Sequence, residues 1–134
     1  MQYKWDDSLI TGQTKIDDQH KQLFVAVNNL IKVVEDGKGE TEIKKSLDFL
    51  TEYTIKHFFE EEAIQTQYKY PDFENHHKYH EDFKDSVKNM SHELILKGSS
   101  KELVDKLCNH FAKWLIDHIM VQDKKLAAYI KQQG

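Results

Sequence analysis

Apolar side chains recur every three or four residues along most of this sequence, which is the spacing of one face of an α-helix. Three short runs of turn-forming residues interrupt the pattern: Asp36-Gly37-Lys38-Gly39, Tyr70-Pro71-Asp72 and Lys97-Gly98-Ser99-Ser100. These interruptions divide the chain into four segments, and each segment carries one continuous apolar stripe. The pattern therefore predicts four amphipathic helices.

The predicted helices have short connections, and short connections favour antiparallel neighbours. We place the first three helices at about Asp18 to Asp36, Thr41 to Tyr68 and Asp72 to Leu96. The fourth opens at Ser99-Ser100-Lys101-Glu102, which has the pattern of a capping box, and a short terminal helix covers Val121 to Lys131. The sequence thus predicts an all-α, up-down-up-down four-helix bundle with a short C-terminal helix. An N-terminal arm, Met1 to Ile16, precedes it and is held by Trp5, Leu9 and Ile10.

Length and composition fit a single domain, residues 1–134, with the arm at 1–16 and the bundle at 17–131. A net charge of -4, with lysines interleaved among acids, predicts neither nucleic acid nor an anionic membrane as partner. No stretch approaches the ~20 apolar residues of a membrane span, and no signal peptide is apparent, so we expect a cytoplasmic protein. Cys108 is the single cysteine, which leaves no internal disulfide, and we expect it in the core.

Eight histidines are a clear excess in so short a chain, and five of them fall on the apolar stripes with one glutamate. These six are His20, His57, Glu61, His76, His80 and His118. A buried polar group without a partner is costly, so something must satisfy these side chains. At about 1.5 Å of rise per residue, His20 lies level with His57 and His80 level with His118 across their turns, about 25 Å from each break. All four helices therefore contribute to one layer.

Asp123 follows His118 by five residues, about 140° out of phase on a regular helix, so it joins this layer only if the backbone bends or changes helix between Ile119 and Asp123. Five imidazoles and two carboxylates exceed the four ligands of a structural zinc site. They suit two five- or six-coordinate ions bridged by the carboxylates, for which iron is the natural candidate.

Four stretches carry a resemblance that covers nearly the whole chain. They are Asp17-Asp18-Gln19-His20 followed by Leu23, the run His57-Phe58-Phe59-Glu60-Glu61, His76 with His80 and Phe83, and Trp114-Leu115-Ile116-Asp117-His118 with Asp123. In these residues the sequence resembles the hemerythrin family, and in particular its single-domain bacterial members.

The resemblance implies two non-haem iron ions, cycling between Fe2+ and Fe3+, with a bridging oxo or hydroxo group. It assigns His76, His80 and His118 to one iron, His20 and His57 to the other, and Glu61 and Asp123 to both. Leu23, Phe58, Trp114 and Ile119 would line an oxygen pocket at the iron with fewer protein ligands. The implied function is reversible dioxygen binding for transport, storage or local supply to an oxygen-consuming enzyme, by a monomer that is not an enzyme.

Two further classes of function stay open at this point: an oxygen-sensing or iron-handling protein, and a diiron peroxidase or oxidase. A ferritin-like oxidase would need two Glu-x-x-His motifs, and only Glu74 to His77 has that spacing. The His-Glu-x-x-His of zinc hydrolases and the Cys-x-x-Cys-His of c-type haem are absent. The remaining residues of interest, His77, His92, His110, Glu60 and Glu62, lie off the stripes and are predicted to face solvent or the edge of the core.

Overall fold

The computed structural model describes residues 3–133, and all of its regular structure is helical. The helices are α1 (Thr14–Glu35), α2 (Glu40–Gln67), α3 (Phe73–Lys97), α4 (Lys101–His118) and α5 (Lys124–Gln133). A 3-10 turn, Asp7–Leu9, precedes α1, and one π-helical turn, Ile119–Asp123, joins α4 to α5. Helix α1 packs against α2 and α4, and α3 packs against α2 and α4, so the first four helices form a closed ring of neighbours. The predicted all-α bundle is confirmed.

The helix boundaries differ from the predicted ones by a few residues. Helix α1 begins at Thr14, four residues before the predicted Asp18, because the chain turns at Gly12, whose positive φ of 94° suits glycine. At α4 the Ser100 hydroxyl, rather than that of Ser99, accepts from the Leu103 N–H at 3.1 Å. Glu102 is therefore not the third helical residue, and the predicted reciprocal capping box does not form.

The N-terminal arm lies against α1, as far as it is described; Met1 and Gln2 of the predicted arm lie outside the described residues. Leu9 is buried, and the Trp5 ring meets the Phe24 ring edge-on with 5.6 Å between centroids. Ile10 was predicted to help hold the arm, but 46% of it is exposed. The Asp17 carboxylate accepts a hydrogen bond from the Thr11 N–H at 2.9 Å and so connects the arm to α1.

Apolar side chains form one large core and one small one. The large core fills the bundle from Leu23 and Phe58 towards the end where α2 begins. The small core consists of Ile16, Tyr70, Leu126 and Ile130, with Ile64, Tyr68 and Tyr129 packed against it. Since His20 lies between Ile16 and Leu23 along α1, the predicted polar layer is enclosed between these two apolar cores. Across residues 3–133 no helix is long and apolar enough to cross a membrane.

Candidate metal centre

The structure brings all seven predicted ligands together in the layer between the two cores. Each helix of the ring contributes: α1 provides His20, α2 His57 and Glu61, α3 His76 and His80, and α4 His118, while Asp123 ends the π-turn. None of the seven is more than 5% exposed. The apolar stripes explain this burial, because each of the six helical residues occupies a position of its helix's own stripe.

Three imidazoles converge on one point. The Nε2 atom of His118 lies 2.8 Å from that of His76 and 3.1 Å from that of His80. Glu61 Oε1 is 2.8 Å from His76 Nε2, and Asp123 Oδ1 is 3.1 Å from the same atom. Ligand atoms about 2.1 Å from an ion and at right angles to each other lie about 3 Å apart, so these separations match the edges of a coordination polyhedron.

The other two imidazoles form a second set beside the first. The rings of His20 and His57 lie 4.8 Å apart between centroids. Asp123 Oδ2 lies 2.9 Å from His20 Nε2, and Glu61 Oε2 lies 3.5 Å from His57 Nε2. Each carboxylate therefore presents one oxygen to the first set and its other oxygen to the second, which is the arrangement of a carboxylate that bridges two ions.

The donor atoms of both sets fit metal ions. Both oxygens of Glu61 and of Asp123 are buried, and the imidazole nitrogens that lie 2.8 to 3.5 Å from them do not meet them in hydrogen-bond geometry. A buried carboxylate without hydrogen bonds is strongly unfavourable unless a positive charge lies beside it. The potential ligands form two groups, one of five residues and one of four, and both groups include Glu61 and Asp123. One cation in each group would supply the positive charge that the two carboxylates require. Imidazole with carboxylate is a donor set that suits iron and its neighbours in the first transition row.

The π-turn explains how Asp123 reaches the layer. The sequence analysis required a departure from regular helix between Ile119 and Asp123 if Asp123 was to join the layer, and the structure contains that departure. In a π-turn the backbone hydrogen bonds join residues five apart rather than four, and the widened turn brings residues 118 and 123 towards the same side. The widened turn therefore sets the Asp123 carboxylate beneath His118.

Comparisons with known proteins agree with this geometry. The sequence model of the hemerythrin HHE cation binding domain matches residues 11–130.

The chain belongs to the hemerythrin family.

Among its relatives, a bacteriohemerythrin from Pseudomonas paraeruginosa is 31% identical over 119 residues, which cover 89% of this chain and 75% of that protein. A myohemerythrin from Sipunculus nudus is 31% identical over 123 residues, covering 92% of this chain and 89% of the relative. A crystal structure of a single-residue variant of hemerythrin superposes with a TM-score of 0.81 at 25% identity and covers 95% of both chains. The hemerythrin fold is thus shared over nearly the whole length.

The electrostatics of this hemerythrin-type cluster keep both carboxylates ionised. Burial and the neighbouring Asp123 raise the pKa of Glu61, but contacts with His76 and His80 outweigh them and bring it to about 2. Burial likewise opposes the Asp123 charge, but contacts with His118, His20 and His76 hold its pKa well below the usual range. Both groups are therefore in the form that binds a cation.

Three of the five imidazoles show how burial and the carboxylates compete for the ring's protonation. Burial lowers the pKa of His57 to about 4 and also lowers that of His118, so both rings are neutral near pH 7 and offer a lone pair. Burial lowers the pKa of His76 too, but Asp123 and Glu61 outweigh it and raise the pKa to about 9. A proton on His76 supplies positive charge that a metal ion would otherwise supply, so metal binding must displace it.

Two residues that the sequence analysis did not assign contact the outer nitrogens of these rings. Gln19 Oε1 lies 2.6 Å from His57 Nδ1, and Glu62 Oε2 lies 2.7 Å from His80 Nδ1. Glu60 and Glu62 were predicted to face solvent, and the structure corrects this. Glu60 accepts from Gln19 Nε2, and the Glu62 side chain is only 17% exposed. They point about 100° to either side of Glu61, towards α1 and α3 respectively.

Of the four predicted pocket residues, Phe58 and Trp114 contact imidazoles of the cluster, and Leu23 and Ile119 belong to the large core. Leu23, Phe58 and Ile119 are buried, and Trp114 is half-buried. The Phe58 ring stacks on His80 at 3.9 Å between centroids, and the Trp114 ring stacks on His118 at 4.3 Å. Apolar and aromatic side chains therefore cover the cluster on the side of the large core.

The other three histidines lie outside the potential ligand groups found among residues 3–133. His77 is 43% exposed, and its Nδ1 contacts Glu62. His110 is exposed and stacks on Phe83, and His92 is exposed. Cys108 is fully buried in the large core, as expected, and burial raises its pKa to about 12.

Proposed function

We propose that this chain binds dioxygen reversibly at two non-haem iron ions. One ion is held by His76, His80 and His118 and the other by His20 and His57, while Glu61 and Asp123 bridge both together with an oxo or hydroxo group. The observation that supports this most directly is the division of each carboxylate between the two imidazole sets. The family relationship to bacteriohemerythrin and myohemerythrin supports iron over other metals of similar coordination.

The numbers of ligands in the two sets suggest where dioxygen binds. Three imidazoles surround one position and two surround the other, so His20 and His57 would leave more room for an added ligand on an ion bound between them. When bound, a pair of Fe(II) ions can give two electrons to dioxygen and recover them on its release. We assign dioxygen to the two-histidine side.

The residues around the cluster suit binding without further reaction. Leu23, Phe58 and Ile119 exclude water and carry no proton donor, so nothing in these walls promotes release of a reduced oxygen product. We therefore propose a carrier, store or local supplier of oxygen, in the form of a monomer without catalytic turnover. An oxygen-consuming enzyme would be the recipient.

The proposal is tested by following iron content and the visible spectrum of purified protein. We expect about two iron ions per chain, and a visible band that appears when oxygen reaches the reduced protein and disappears when oxygen is removed under vacuum. His118→Ala should lose both the band and iron. His92→Ala, which removes an exposed histidine outside the cluster, is the matched control and should behave as the unaltered chain.

Three results would contradict the proposal. Purified protein without iron after growth in iron-rich medium would remove its basis. Irreversible bleaching on the first exposure to oxygen would favour an oxidase. Sustained consumption of oxygen in the presence of a reducing co-substrate, at a rate proportional to protein, would favour a peroxidase or oxidase.

A further inference from the structure

Two of the five imidazoles in the metal centre have a side-chain partner on the nitrogen that faces away from it. His57 and His80 both direct Nε2 towards Glu61, at 3.5 Å and 3.3 Å. Their Nδ1 atoms contact Gln19 at 2.6 Å and Glu62 at 2.7 Å. A ring that uses Nε2 as a ligand carries its hydrogen on Nδ1, so each ring donates to its outer partner.

The two outer partners differ in charge. Glu62 is a carboxylate, and His77 Nδ1, 2.8 Å from its other oxygen, holds it from the opposite side. Gln19 is a neutral amide, whose Nε2 donates to Glu60, and Lys15 Nζ lies 3.8 Å from Glu60. The imidazoles of His57 and His80 are thus each fixed by a series of contacts that continues to the surface. Only at His80 does a negative charge, that of the Glu62 carboxylate, lie directly beside the ring.

The charge on the outer partner matters because it changes the ring as a ligand. A carboxylate that accepts the Nδ1 hydrogen draws the ring towards imidazolate and makes Nε2 more basic, whereas an amide orients the ring with a much smaller effect. A more basic ligand stabilises the higher charge on the metal. Glu62 belongs to the three-histidine set and Gln19 to the two-histidine set, so the difference falls between the two ions.

We infer that Glu62 and Gln19 are positioning residues that make the two ions of the centre unequal, with Glu62 favouring the ferric state at the three-histidine ion and Gln19 leaving the two-histidine ion easier to reduce. The inference rests on the proposed function for the identity of the metal. It assigns a separate role to each of three consecutive glutamates. Glu61 lies between the ions, Glu62 polarises a ligand on α3, and Glu60 holds the amide of α1 that orients His57 on α2.

Exchanges of charge at these two positions test the inference. Glu62→Gln keeps the shape and removes the charge, Glu62→Asp keeps the charge, and Gln19→Glu adds a charge on the other side. Glu81→Gln is the matched control, because Glu81 pairs with Lys84 and lies 3.8 Å from His77 Nε2, but contacts no residue of the cluster. Circular dichroism and thermal melting establish that each variant is folded.

The first readout is the midpoint potential of the iron centre, measured by redox titration of the visible spectrum. We expect Glu62→Gln to raise the potential, Gln19→Glu to lower it, and Glu62→Asp and Glu81→Gln to leave it near the original value. The second readout is the rate at which a chelator removes iron from the oxidised protein. Loss of an outer partner typically weakens metal binding about 10- to 100-fold, so Glu62→Gln should release iron faster by a factor in that range.

Several outcomes would overturn the inference while the proposed function stands. In the first, oxygen binds reversibly but the midpoint potential of Glu62→Gln equals that of Glu81→Gln. In the second, the potential of Glu62→Asp shifts as far as that of Glu62→Gln. In the third, the potential of Gln19→Glu rises.

Titration of iron-free protein with Co(II) provides a readout independent of oxygen. Glu62→Gln should weaken one of two Co(II) sites, and equal binding at both would again reject the inference. A chain that binds neither iron nor Co(II) would reject both proposals.

Discussion

Asp123 Oδ1 lies 3.1 Å from His118 Nε2, although the two residues are five positions apart along the chain. On a regular α-helix these two side chains would point about 140° apart. The π-turn Ile119–Asp123 removes that difference, so that His118 at the end of α4 and Asp123 at the end of the turn lie in one layer. The position of the carboxylate therefore depends on a local irregularity of the backbone rather than on the bundle as a whole.

This dependence predicts the effect of moving the carboxylate by one position. The double variant Gln122→Asp with Asp123→Gln keeps composition and length but turns the carboxylate by about 100°. We expect iron content to fall from two ions per chain to one or fewer, as measured by mass spectrometry of the metal. The matched exchange at exposed positions, Lys131→Gln with Gln132→Lys, should keep both ions. Full iron content in the first variant would contradict a bridging role for Asp123.

A comparison of Glu61 with His57 predicts which ligands are shared. Glu61 contacts both imidazole sets, whereas His57 belongs to one set. Glu61→Gln should therefore weaken the binding of both ions and leave well under one iron per chain. His57→Ala should leave about one, because the three-histidine set remains complete. Equal iron content in the two variants would argue against the assignment of Glu61 to both ions.

Metal removal should lower thermal stability. Both buried carboxylates need positive charge beside them, and a ligand at about a thousand times its dissociation constant stabilises the folded state by about 4 kcal/mol. For a chain of this size we expect chelation to lower the melting temperature by about 10 °C or more, and added Fe(II) to restore it. Calorimetry with and without chelator measures the effect. An unchanged melting temperature would mean that the cluster is satisfied without metal.

The sequence predicted the helices and six of the seven clustered side chains because both depend on the same three- and four-residue spacing, whereas Asp123 lies off that spacing and was indicated by the family resemblance. His57 and Glu61 lie on the apolar stripe of α2, so their burial follows from periodicity alone. Glu62 does not, because a position about 100° from the stripe faces either solvent or a groove between helices, and periodicity does not separate these cases. The partner of Glu62 is His80, which lies on α3, and the distance between these two side chains depends on how the helices pack.

Cys108 predicts a pH dependence of stability that is independent of the metal. Burial raises the pKa of this thiol from 9.0 to about 12. Between these values the unfolded chain loses the proton and the folded chain keeps it, so stability falls as the pH rises. At about pH 10.5 the expected loss relative to pH 8 is about 2 kcal/mol from this group. Chemical denaturation at the two pH values measures it.

The Cys108→Ala variant serves as the control for that measurement. It lacks the thiol and should lose about 2 kcal/mol less than the original chain between the two pH values, even though it is less stable at both. The comparison cancels other groups that titrate in this range, such as Tyr70, whose pKa burial raises to about 12. The same loss in both proteins would show that Cys108 ionises equally in the folded and unfolded states.

Phe58 predicts the contribution of the aromatic cover. Its ring is 2% exposed and lies parallel to His80, at an interplanar angle of 3°. Phe58→Ala should cost about 3–5 kcal/mol of stability and, because water then reaches the centre, shorten the lifetime of the oxygen-dependent visible band. Phe111→Ala removes an equally buried ring that contacts none of the cluster imidazoles. It should cost similar stability and leave the lifetime unchanged; equal shortening in both would attribute the effect to general loosening.

The three successive glutamates of α2 also limit how this protein can change over evolutionary time. Glu60, Glu61 and Glu62 reach towards α1, the central layer and α3, so an insertion or deletion just before them would redirect all three side chains in a single step. Substitutions can alter one contact at a time, but changes in length within this helix cannot. Natural variation in length should therefore accumulate in the connections, residues 36–39 and 98–100, and engineered tags or loops are best placed there.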